Sequence, residues 1–342
     1  MKVINVKSDM QNWDQFVRST DGSTGYHRFG WKDVITKSFQ HECYYLAAIA
    51  SNGEWQGILP LVHMRSRLFG NFLVSVPFVN YGGLVCNNQT AEALLIEAAE
   101  HIRQSSGAQY VELRHVAKKL DALPTKKNKV TMILKLCDSS ATQWEIFDPK
   151  LRNQIRKAQK SGLEFRIGGA ELLADFYSVF ARNMRDLGTP VYAQTFFSNV
   201  LQTFEATSSI AAVYYRGSVV AAGVVFWFRD RIEVPWASSI RDHRSVCPNH
   251  MLYWGLIQFA VERGFKEFDF GRSTPNEGTY NFKKQWGALP IHLNWQYLLD
   301  GDESLPELNP TNPKFRLAIR VWRRLPIALA NILGPAVVRN IP

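Results

Sequence analysis

The apolar positions in the second half of the chain follow two periods, which together predict a regular order of elements. A period near 3.6 residues predicts helices, and short alternating or continuous apolar runs predict strands. The predicted elements are, in order, a strand (163–167), two helices (170–187 and 195–204), three strands (210–215, 219–228 and 232–237), a helix (251–263), a strand (266–270), a short helix (279–285) and a last strand (291–298). Because only short Arg-Gly and Arg-Asp turns separate the three middle strands, we expect antiparallel hairpins.

The first half of the chain repeats this order without visible sequence identity. Its predicted elements are two helices (13–18 and 31–39), three strands (44–50, 55–64 and 72–76), a helix (91–106) and two strands (110–114 and 130–136). A recurring order of this kind indicates a duplicated module. We therefore expect an α/β (α+β) fold of two modules with mixed, mainly antiparallel sheets, over residues 1–142 and 143–305, followed by a tail over residues 306–342.

Three hairpin-linked strands followed by a long helix and one more strand are similar to the core of the GNAT acyltransferases. The resemblance implies two tandem GNAT-like modules. In that fold the fourth and fifth strands splay apart, and the gap admits an acyl donor. A likeness of fold does not by itself identify the acyl group that moves.

The composition supports two globular domains. The chain has 342 residues, of which 46% are hydrophobic and 20% charged, and this balance allows large cores. It contains no apolar run of about 18 residues, so we expect no membrane span. Its four cysteines form no CxxC pair, which argues against a zinc site or a disulfide framework and fits the cytoplasm.

The basic character of the chain is concentrated in its tail. Residues 314–342 contain six lysines and arginines and no acid, whereas the whole chain carries a net charge of +10. On a helix, Arg316, Arg320, Arg323 and Arg324 lie on one side, and apolar residues lie on another. This basic amphipathic tail predicts one of two arrangements: peripheral contact with the inner membrane through residues 314–334, or docking on the protein body.

The segment "DFGRSTPNEGTYNFKKQWG" (269–287) places lysines among aromatic residues. One hypothesis is that the Lys283 ammonium stabilises an oxyanion, with Tyr280 positioning a carbonyl group or a base and Trp286 forming a pocket wall. The alternative is a surface turn in which Lys283 lies over Trp286. Arg272 either binds a phosphate or carboxylate or pairs with Asp269.

The segment "LRNQIRKAQK" (151–160) carries a basic helical face. Arg152, Arg156 and Lys160 recur every four residues, so they share one side of the predicted helix. This face is either a clamp for an anionic substrate or an ordinary solvated surface.

The motifs "RNQIRKA", "SVPFVNYGG" (75–83), "NMRDLGTPVY" (183–192), "FDFGRS" (268–273) and "GTYNFKKQWG" resemble the FemAB (FemABX) acyltransferases. The resemblance covers nearly the whole chain and extends to FemAB-related proteins of PEP-CTERM/exosortase exopolysaccharide systems. It implies that the Phe-Lys pair, Phe282 and Lys283 here, carries the lysine that stabilises the reacting carbonyl. The candidate catalytic residues are Lys283 and Tyr280, and the candidate substrate-binding residues are Tyr81, Arg152, Asn153, Arg156, Trp236, Arg272, Phe282 and Trp286. We expect no metal site.

The sequence predicts an acyltransferase that acts on an amine or hydroxyl of a cell-envelope or exopolysaccharide precursor. The connection "SSIRDHRSVCPNH" (238–250) lacks the glycines that bind pyrophosphate in acetyl-CoA enzymes of the GNAT fold, which argues against CoA binding in the usual manner and fits a different donor. The sequence does not identify that donor, which is either aminoacyl-tRNA or acyl-CoA, and we expect no resident cofactor. His115, His243 and His250 are candidate bases, although none stands in a nucleophile motif. The alternatives are an acyl-CoA-dependent N-acyltransferase for a small molecule or sugar, and a non-catalytic glycan- or RNA-binding protein.

Overall fold

In the computed structural model of this chain, the described residues are 1–117, 120–301, 305–306 and 313–341, with only the backbone described for 313–316. The strands are β1 (Lys2–Asn5), β2 (Glu42–Ile49), β3 (Trp55–Ser66), β4 (Gly70–Val74), β5 (Val85–Cys86), β6 (Val111–His115), β7 (Thr125–Lys126), β8 (Val130–Lys135), β9 (Leu163–Gly168), β10 (Ser208–Tyr215), β11 (Ser218–Phe228), β12 (Arg231–Ser239), β13 (Glu267–Ser273), β14 (Leu289–His292) and β15 (Asn294–Leu298). The helices are α1 (Met10–Ser19), α2 (Gly30–Phe39), α3 (Gln89–Ser106), α4 (Ser140–Glu145), α5 (Pro149–Lys160), α6 (Leu173–Leu187), α7 (Gln194–Thr203), α8 (Pro248–Glu262), α9 (Gly278–Lys284), α10 (Pro313–Trp322) and α11 (Ile327–Val338).

The chain divides into two compact units, and neither is continuous in sequence. Taken over the described residues, unit 1 comprises Met1–Val130, Ile291–Glu307 and Arg339–Pro342. Unit 2 comprises Thr131–Pro290 and Leu308–Val338. Each unit has a single large sheet covered by helices, which is the mixed α/β architecture that the sequence predicts.

Unit 1 is built on an eight-stranded sheet with the order β1-β2-β3-β4-β6-β15-β7, and β5 pairs with the start of β3. Its strands pair antiparallel, except that β4 and β6 are parallel. Helix α3 begins at the Asn88 cap and ends at Gly107, whose φ of +66° suits a glycine. Leu95 and Ala99 of this helix pack into a hydrophobic core cluster of the unit.

The opening between β4 and β6 is filled by the chain itself. Their parallel pairing ends at Val74 with Glu112. The chain then turns back through Val76 and Phe78, which both have positive φ angles, and the N–H group of Gly82 donates to a carbonyl on β6 at 3.0 Å. Residues 75–84 are all buried. They therefore occupy the place where a GNAT-like module would admit a donor.

Unit 2 has a seven-stranded sheet with the order β14-β8-β13-β12-β11-β10-β9. Strands β9 to β12 pair antiparallel, and β12 and β13 are parallel. The ladder between these two parallel strands ends at the pair Glu233–Asp269, although β12 continues to Ser239 and β13 to Ser273. The two strands thus part at this point, which is the splay that the GNAT resemblance predicts.

Helices cover the sheet of unit 2 on both faces. Tyr253 of α8 packs against Phe268 and Phe270 of β13. Phe196 and Phe197 of α7 pack edge-to-face on Trp236 of β12. Because side chains alternate along a strand, Asp269 points away from the face that α8 covers.

The predicted division at residue 142 differs from the observed units at two strands. The sequence places the strand 130–136 in the first module, but β8 belongs to the sheet of unit 2. It places the strand 291–298 in the second module, but β15 lies between β6 and β7 in unit 1. Tyr297 of β15 donates a hydrogen bond to buried Glu112 of β6 at 2.7 Å, so this strand completes a polar cluster in unit 1.

The tail forms two helices, because Pro326 separates α10 from α11. The predicted tail residues 307–312 and the side chains of Lys314 and Arg316 lie outside the described residues. Within the described residues, neither of these helices nor any other is both long and apolar enough to cross a bilayer.

Candidate active site

Lys283 lies on α9 with its ammonium group directed into the protein. Its side chain is only 8% exposed. The Nζ atom donates hydrogen bonds to the carbonyl oxygen of Gly271 at 2.9 Å and to that of Arg272 at 3.0 Å. Both carbonyls belong to the part of β13 that has separated from β12. The alternative of a solvated lysine lying over Trp286 is therefore excluded by the structure.

A local turn of β13 presents these carbonyl groups to the lysine. Gly271 has a φ of +74°, which a residue with a Cβ rarely adopts. The Oδ1 atom of Asp269 accepts a hydrogen bond from the Gly271 N–H at 2.8 Å and another from the Thr131 hydroxyl at 2.5 Å. Asp269 is fully buried, so it fixes the turn from inside the protein.

Burial and the neighbouring charges act on the pKa of Lys283 in different directions. Burial lowers the pKa of its ammonium group from 10.5 to about 8, the negative charges of Asp269 and Glu233 oppose this fall, and the charge of Arg272 adds to it. Glu233 and Asp269 are cross-strand neighbours at the last pair of the β12–β13 ladder. Lys283 is thus a buried cation beside two carboxyl groups, and it is still mostly protonated near neutral pH.

One N–H of Lys283 remains available. An ammonium group has three donors, and two of them bind the carbonyls of Gly271 and Arg272. The third has no hydrogen-bond partner among the described residues. A donor that is held in place in a partly dry site can stabilise negative charge as it develops on a substrate oxygen.

A cavity of about 1100 Å³ opens beside α9 within unit 2. Its walls combine apolar side chains with lysines, and they include Ile133, Leu134, Phe147, Leu151, Phe282 and Trp286 together with Lys135, Lys150 and Lys284. Lys283 is not among the lining residues, because its side chain leaves α9 toward β13. The predicted pocket residues Phe282 and Trp286 and the predicted catalytic lysine thus occupy different sides of the same short helix.

Aromatic rings form the inner wall of this cavity. Trp286 is fully buried and contacts Phe147, His250 and Phe282. Its Nε1–H has no hydrogen-bond partner in the described part of the chain. Burial lowers the pKa of His250 to about 4, so this histidine is neutral near pH 7 and accepts protons weakly.

The basic residues of α5 lie in two different environments. Arg156 is exposed, donates to the Asn153 side chain at 3.2 Å and stacks over the Trp144 ring at 5.2 Å. Arg152 is half-buried, and its Nε is a buried donor without a hydrogen-bond partner among the described residues. An unsatisfied buried donor costs free energy, so Arg152 is the residue of this face with most to gain from an anionic ligand.

The remaining predicted site residues are dispersed. Tyr280 is half-exposed and lies one helical turn before Lys283, on the same face of α9. Arg272 is exposed, and its backbone carbonyl binds Lys283. Trp236 is 7% exposed and packs in the core of unit 2. Tyr81 belongs to unit 1, where it is buried against Tyr26.

Sequence reasoning missed the carboxyl groups of Glu233 and Asp269 as neighbours of Lys283. Glu233 stands alone in an otherwise apolar run (232–237), and a buried acid within a strand is the signal that could have found it. No local pattern indicates that Thr131 reaches Asp269, because the two are 138 positions apart. Among the described residues, no group of three His, Cys, Asp or Glu side chains could hold a metal ion.

Comparison with known proteins agrees with this geometry. The family model described as "Acetyltransferase (GNAT) domain" matches residues 148–284, which contain the splayed strands and Lys283. A lipid II:glycine glycyltransferase from Staphylococcus haemolyticus is 25% identical over 88 residues, which is 24% of this chain and 21% of that protein. The match thus spans about a fifth of the relative's length.

Two solved structures are similar over most of their length. The crystal structure of FemX aligns with a TM-score of 0.69 and 16% identity, covering 86% of this chain and 97% of FemX. The structure of L-PGS from Bacillus licheniformis aligns with a TM-score of 0.60 and 15% identity, covering 94% of this chain and 99% of that one. Together these matches confirm the tandem GNAT-like fold, and residues 148–284 match an acetyltransferase domain.

Proposed function

We propose that this protein transfers an acyl or aminoacyl group to an amine or hydroxyl of a cell-envelope precursor, with Lys283 stabilising the oxyanion. The observation that carries the proposal is the buried ammonium group of Lys283, held by two carbonyl oxygens where β12 and β13 part. The fold and the matched domain support acyl transfer, and the glycyltransferase relative supports an envelope acceptor.

Acyl transfer at this site would pass through a tetrahedral intermediate whose charged oxygen needs a stabilising group. The nitrogen or oxygen of the acceptor attacks the acyl carbon, and the carbonyl oxygen becomes negatively charged in a tetrahedral intermediate. The bond to the donor's oxygen or sulfur then breaks, and the proton that the acceptor loses ends on that leaving atom. The remaining N–H of Lys283 would stabilise the charged oxygen more strongly than the neutral carbonyl, which lowers the barrier.

The other candidate residues have distinct places in this proposal. Tyr280 would help to position the acyl group from the same face of α9. Phe282 and Trp286 would bind the apolar part of a substrate in the cavity. Arg152 would bind an anionic group through its unpaired buried donor, with Asn153 and Arg156 beside it, and Arg272 would supply a second cation. The burial of Trp236 and Tyr81 supports packing roles for both.

The donor and the finer identity of the acceptor are also proposals. We propose aminoacyl-tRNA as the donor, because residues 241–246 form a 3-10 helix without glycine in place of a glycine-rich pyrophosphate loop. The acetyltransferase description of the matched domain favours acyl-CoA as the second candidate. For the acceptor we propose an exopolysaccharide precursor, supported by the sequence resemblance to proteins of PEP-CTERM systems. We also propose that the protein acts in the cytoplasm at the inner membrane.

One experiment tests the activity even when the acceptor has not been identified. Envelope precursors are analysed by mass spectrometry in cells that carry the wild-type protein or the Lys283→Met variant, which keeps the side-chain length and removes the charge. We expect one precursor to lose a single acyl or aminoacyl increment in the variant. Identical precursor masses in the two strains, with equal protein levels, would exclude the proposed role of Lys283. In extracts, sensitivity of the activity to ribonuclease would distinguish aminoacyl-tRNA from acyl-CoA.

A further inference from the structure

The outer face of α11 is apolar. Leu329, Ile332 and Leu333 lie three and four positions apart on one side of this helix, and all three are exposed, Ile332 by 71%. The helix carries no charged residue, and its one amide, Asn331, is half-buried. A helix at a water-exposed surface normally presents a polar outer face, so this face is suited to an apolar environment.

The opposite face of α11 docks on unit 2. Ala330, Gly334 and Val338 are buried, and a Cβ added at Gly334 would come within 2.8 Å of the Val191 backbone. The sequence leaves open whether the tail docks on the protein or contacts a membrane. These contacts show docking by one face, which leaves the other face exposed for a second contact.

The outer face of α10 adds positive charge to this surface. Leu317 and Val321 are 62% and 55% exposed, Arg320 lies on the same side of the helix, and exposed Arg324 follows two residues after the helix ends. Two hydrogen bonds fix the end of α10 and the following turn to α6: Arg323 donates to the Leu187 carbonyl at 3.2 Å, and Arg185 donates to the Leu325 carbonyl at 2.8 Å. The end of α10 and the turn that carries Arg324 are thus held on α6, the helix against which α11 also packs.

We propose that this surface, called the tail surface and defined by Leu317, Arg320, Arg324, Leu329, Ile332 and Leu333, binds an anionic membrane surface. A bilayer with anionic lipids presents negative headgroups above an apolar layer, and the tail surface offers the complementary combination of arginines and apolar side chains. With 12 residues, α11 is shorter than the about 20 residues that span a bilayer, so it lies in the plane of the interface. A second copy offers no such complement, because residues 314–342 contain six lysines and arginines and no acid, so two tail surfaces would bring like charges together.

The test is co-sedimentation of the full-length protein with vesicles, either of phosphatidylethanolamine with phosphatidylglycerol or of phosphatidylcholine alone. One double variant, Ile332→Ser with Leu333→Ser, removes apolar area, and another, Arg320→Gln with Arg324→Gln, removes charge. The matched controls are Leu68→Ser and Arg67→Gln, which change exposed residues of the β3–β4 turn in unit 1. Because the substituted side chains are exposed, we expect unchanged thermal unfolding in every variant.

We expect the wild type to bind the anionic vesicles, and the apolar variant to partition at least about tenfold more weakly. The charge variant should lose binding to the anionic vesicles but behave like the wild type with phosphatidylcholine vesicles. The loss should shrink as salt is raised. The controls should bind like the wild type. The proposal is overturned if the wild type binds neither vesicle, if the apolar variant binds as well as the wild type, or if the tail surface instead mediates a dimer that the apolar variant dissociates.

Discussion

The Nζ atom of Lys283 lies 2.9 Å from the carbonyl oxygen of Gly271, and the positions of these two residues depend on each other. The positive φ of Gly271 turns the chain at the point where β13 has left β12. The lysine in turn satisfies carbonyl groups that no longer take part in the β12–β13 ladder. The arrangement fixes a buried cation beside the point where the two strands part, and its consequences can be tested separately.

Removing the charge of Lys283 should abolish most activity while the fold is retained. For Lys283→Met we expect kcat to fall by about 10²- to 10³-fold, the loss typical for one oxyanion donor. The Lys157→Ala variant is the control, since it removes an exposed cation from α5 without altering the site. Transfer rates measured with purified protein test this, and a methionine variant with the rate of the wild type would exclude the lysine from the reaction.

The rate of transfer should decline as the pH rises through about 8. Burial lowers the pKa of Lys283 to about 8, and only the protonated form stabilises an oxyanion. In Lys283→Met the residual activity should lack this alkaline decline. A profile of kcat against pH for both proteins provides the measurement, and an alkaline limb that persists in the variant would have to come from another group.

The pKa shift of Lys283 that lowers the transfer rate at high pH should raise the stability of the protein over the same range. The native state releases the proton of Lys283 near pH 8, whereas the unfolded state keeps it until about pH 10.5. Between these values the unfolded state binds more protons, so the contribution of Lys283 to the free energy of unfolding increases with pH, by up to roughly 3 kcal/mol. Urea unfolding of the wild type and Lys283→Met across this window isolates the contribution as the difference between the two curves.

Gly271→Ala should reduce activity more than its effect on stability explains. An alanine at a φ of +74° is strained by about 1–2 kcal/mol, and relief of the strain would move the two carbonyls that hold Lys283. Gly162→Ala is a matched control, because Gly162 has a φ of +75° and open space around an added Cβ. We expect similar losses of stability in the two variants and a loss of kcat only in Gly271→Ala. Equal kcat values would show that the turn does not position the lysine.

The stability of unit 1 should fall at mildly acidic pH because of His27. Burial lowers the pKa of this histidine from 6.5 to about 4, and its Nδ1 accepts a hydrogen bond from the Thr24 N–H at 3.0 Å. Between these pH values the unfolded state binds the extra proton, so stability is lost as the pH falls, by roughly 3 kcal/mol in total. His27→Gln should reduce this dependence, with the remainder due to His41 and His63, whose pKa values are also lowered by burial. His101→Gln, at an exposed position on α3, should leave it unchanged.

The order of helices and strands along most of the chain follows from the sequence, but the sheet to which two of the strands belong does not. Apolar periodicity reflects burial and locates β8, but it merges the end of β14 with β15 into one strand, 291–298. The partners of β8 and β15 are set by contacts far apart in the chain, such as Tyr297 with Glu112, which no local pattern records. The two strands are therefore predicted as elements but assigned to the wrong sheets.

The candidate site is predictable from sequence at the level of residue type and segment. The lysine among aromatic residues marks α9, and the glycine marks the turn of β13. Packing in three dimensions determines the rest. It sets the direction of the Lys283 side chain, brings two carboxyl groups beside it, and leaves the donors of Arg152 and Trp286 unsatisfied. The burial of Trp236 likewise depends on α7, which the sequence does not place against β12.

The inserted position of β15 constrains the order in which the protein can fold during synthesis. Most of unit 1 leaves the ribosome first, but its sheet stays incomplete between β6 and β7 until residues 294–298 have been made. The incomplete sheet therefore exposes an unsatisfied edge for most of translation. Cells that produce this chain would need to shield that edge, and premature termination before residue 294 would release a product prone to aggregate rather than an independent amino-terminal domain.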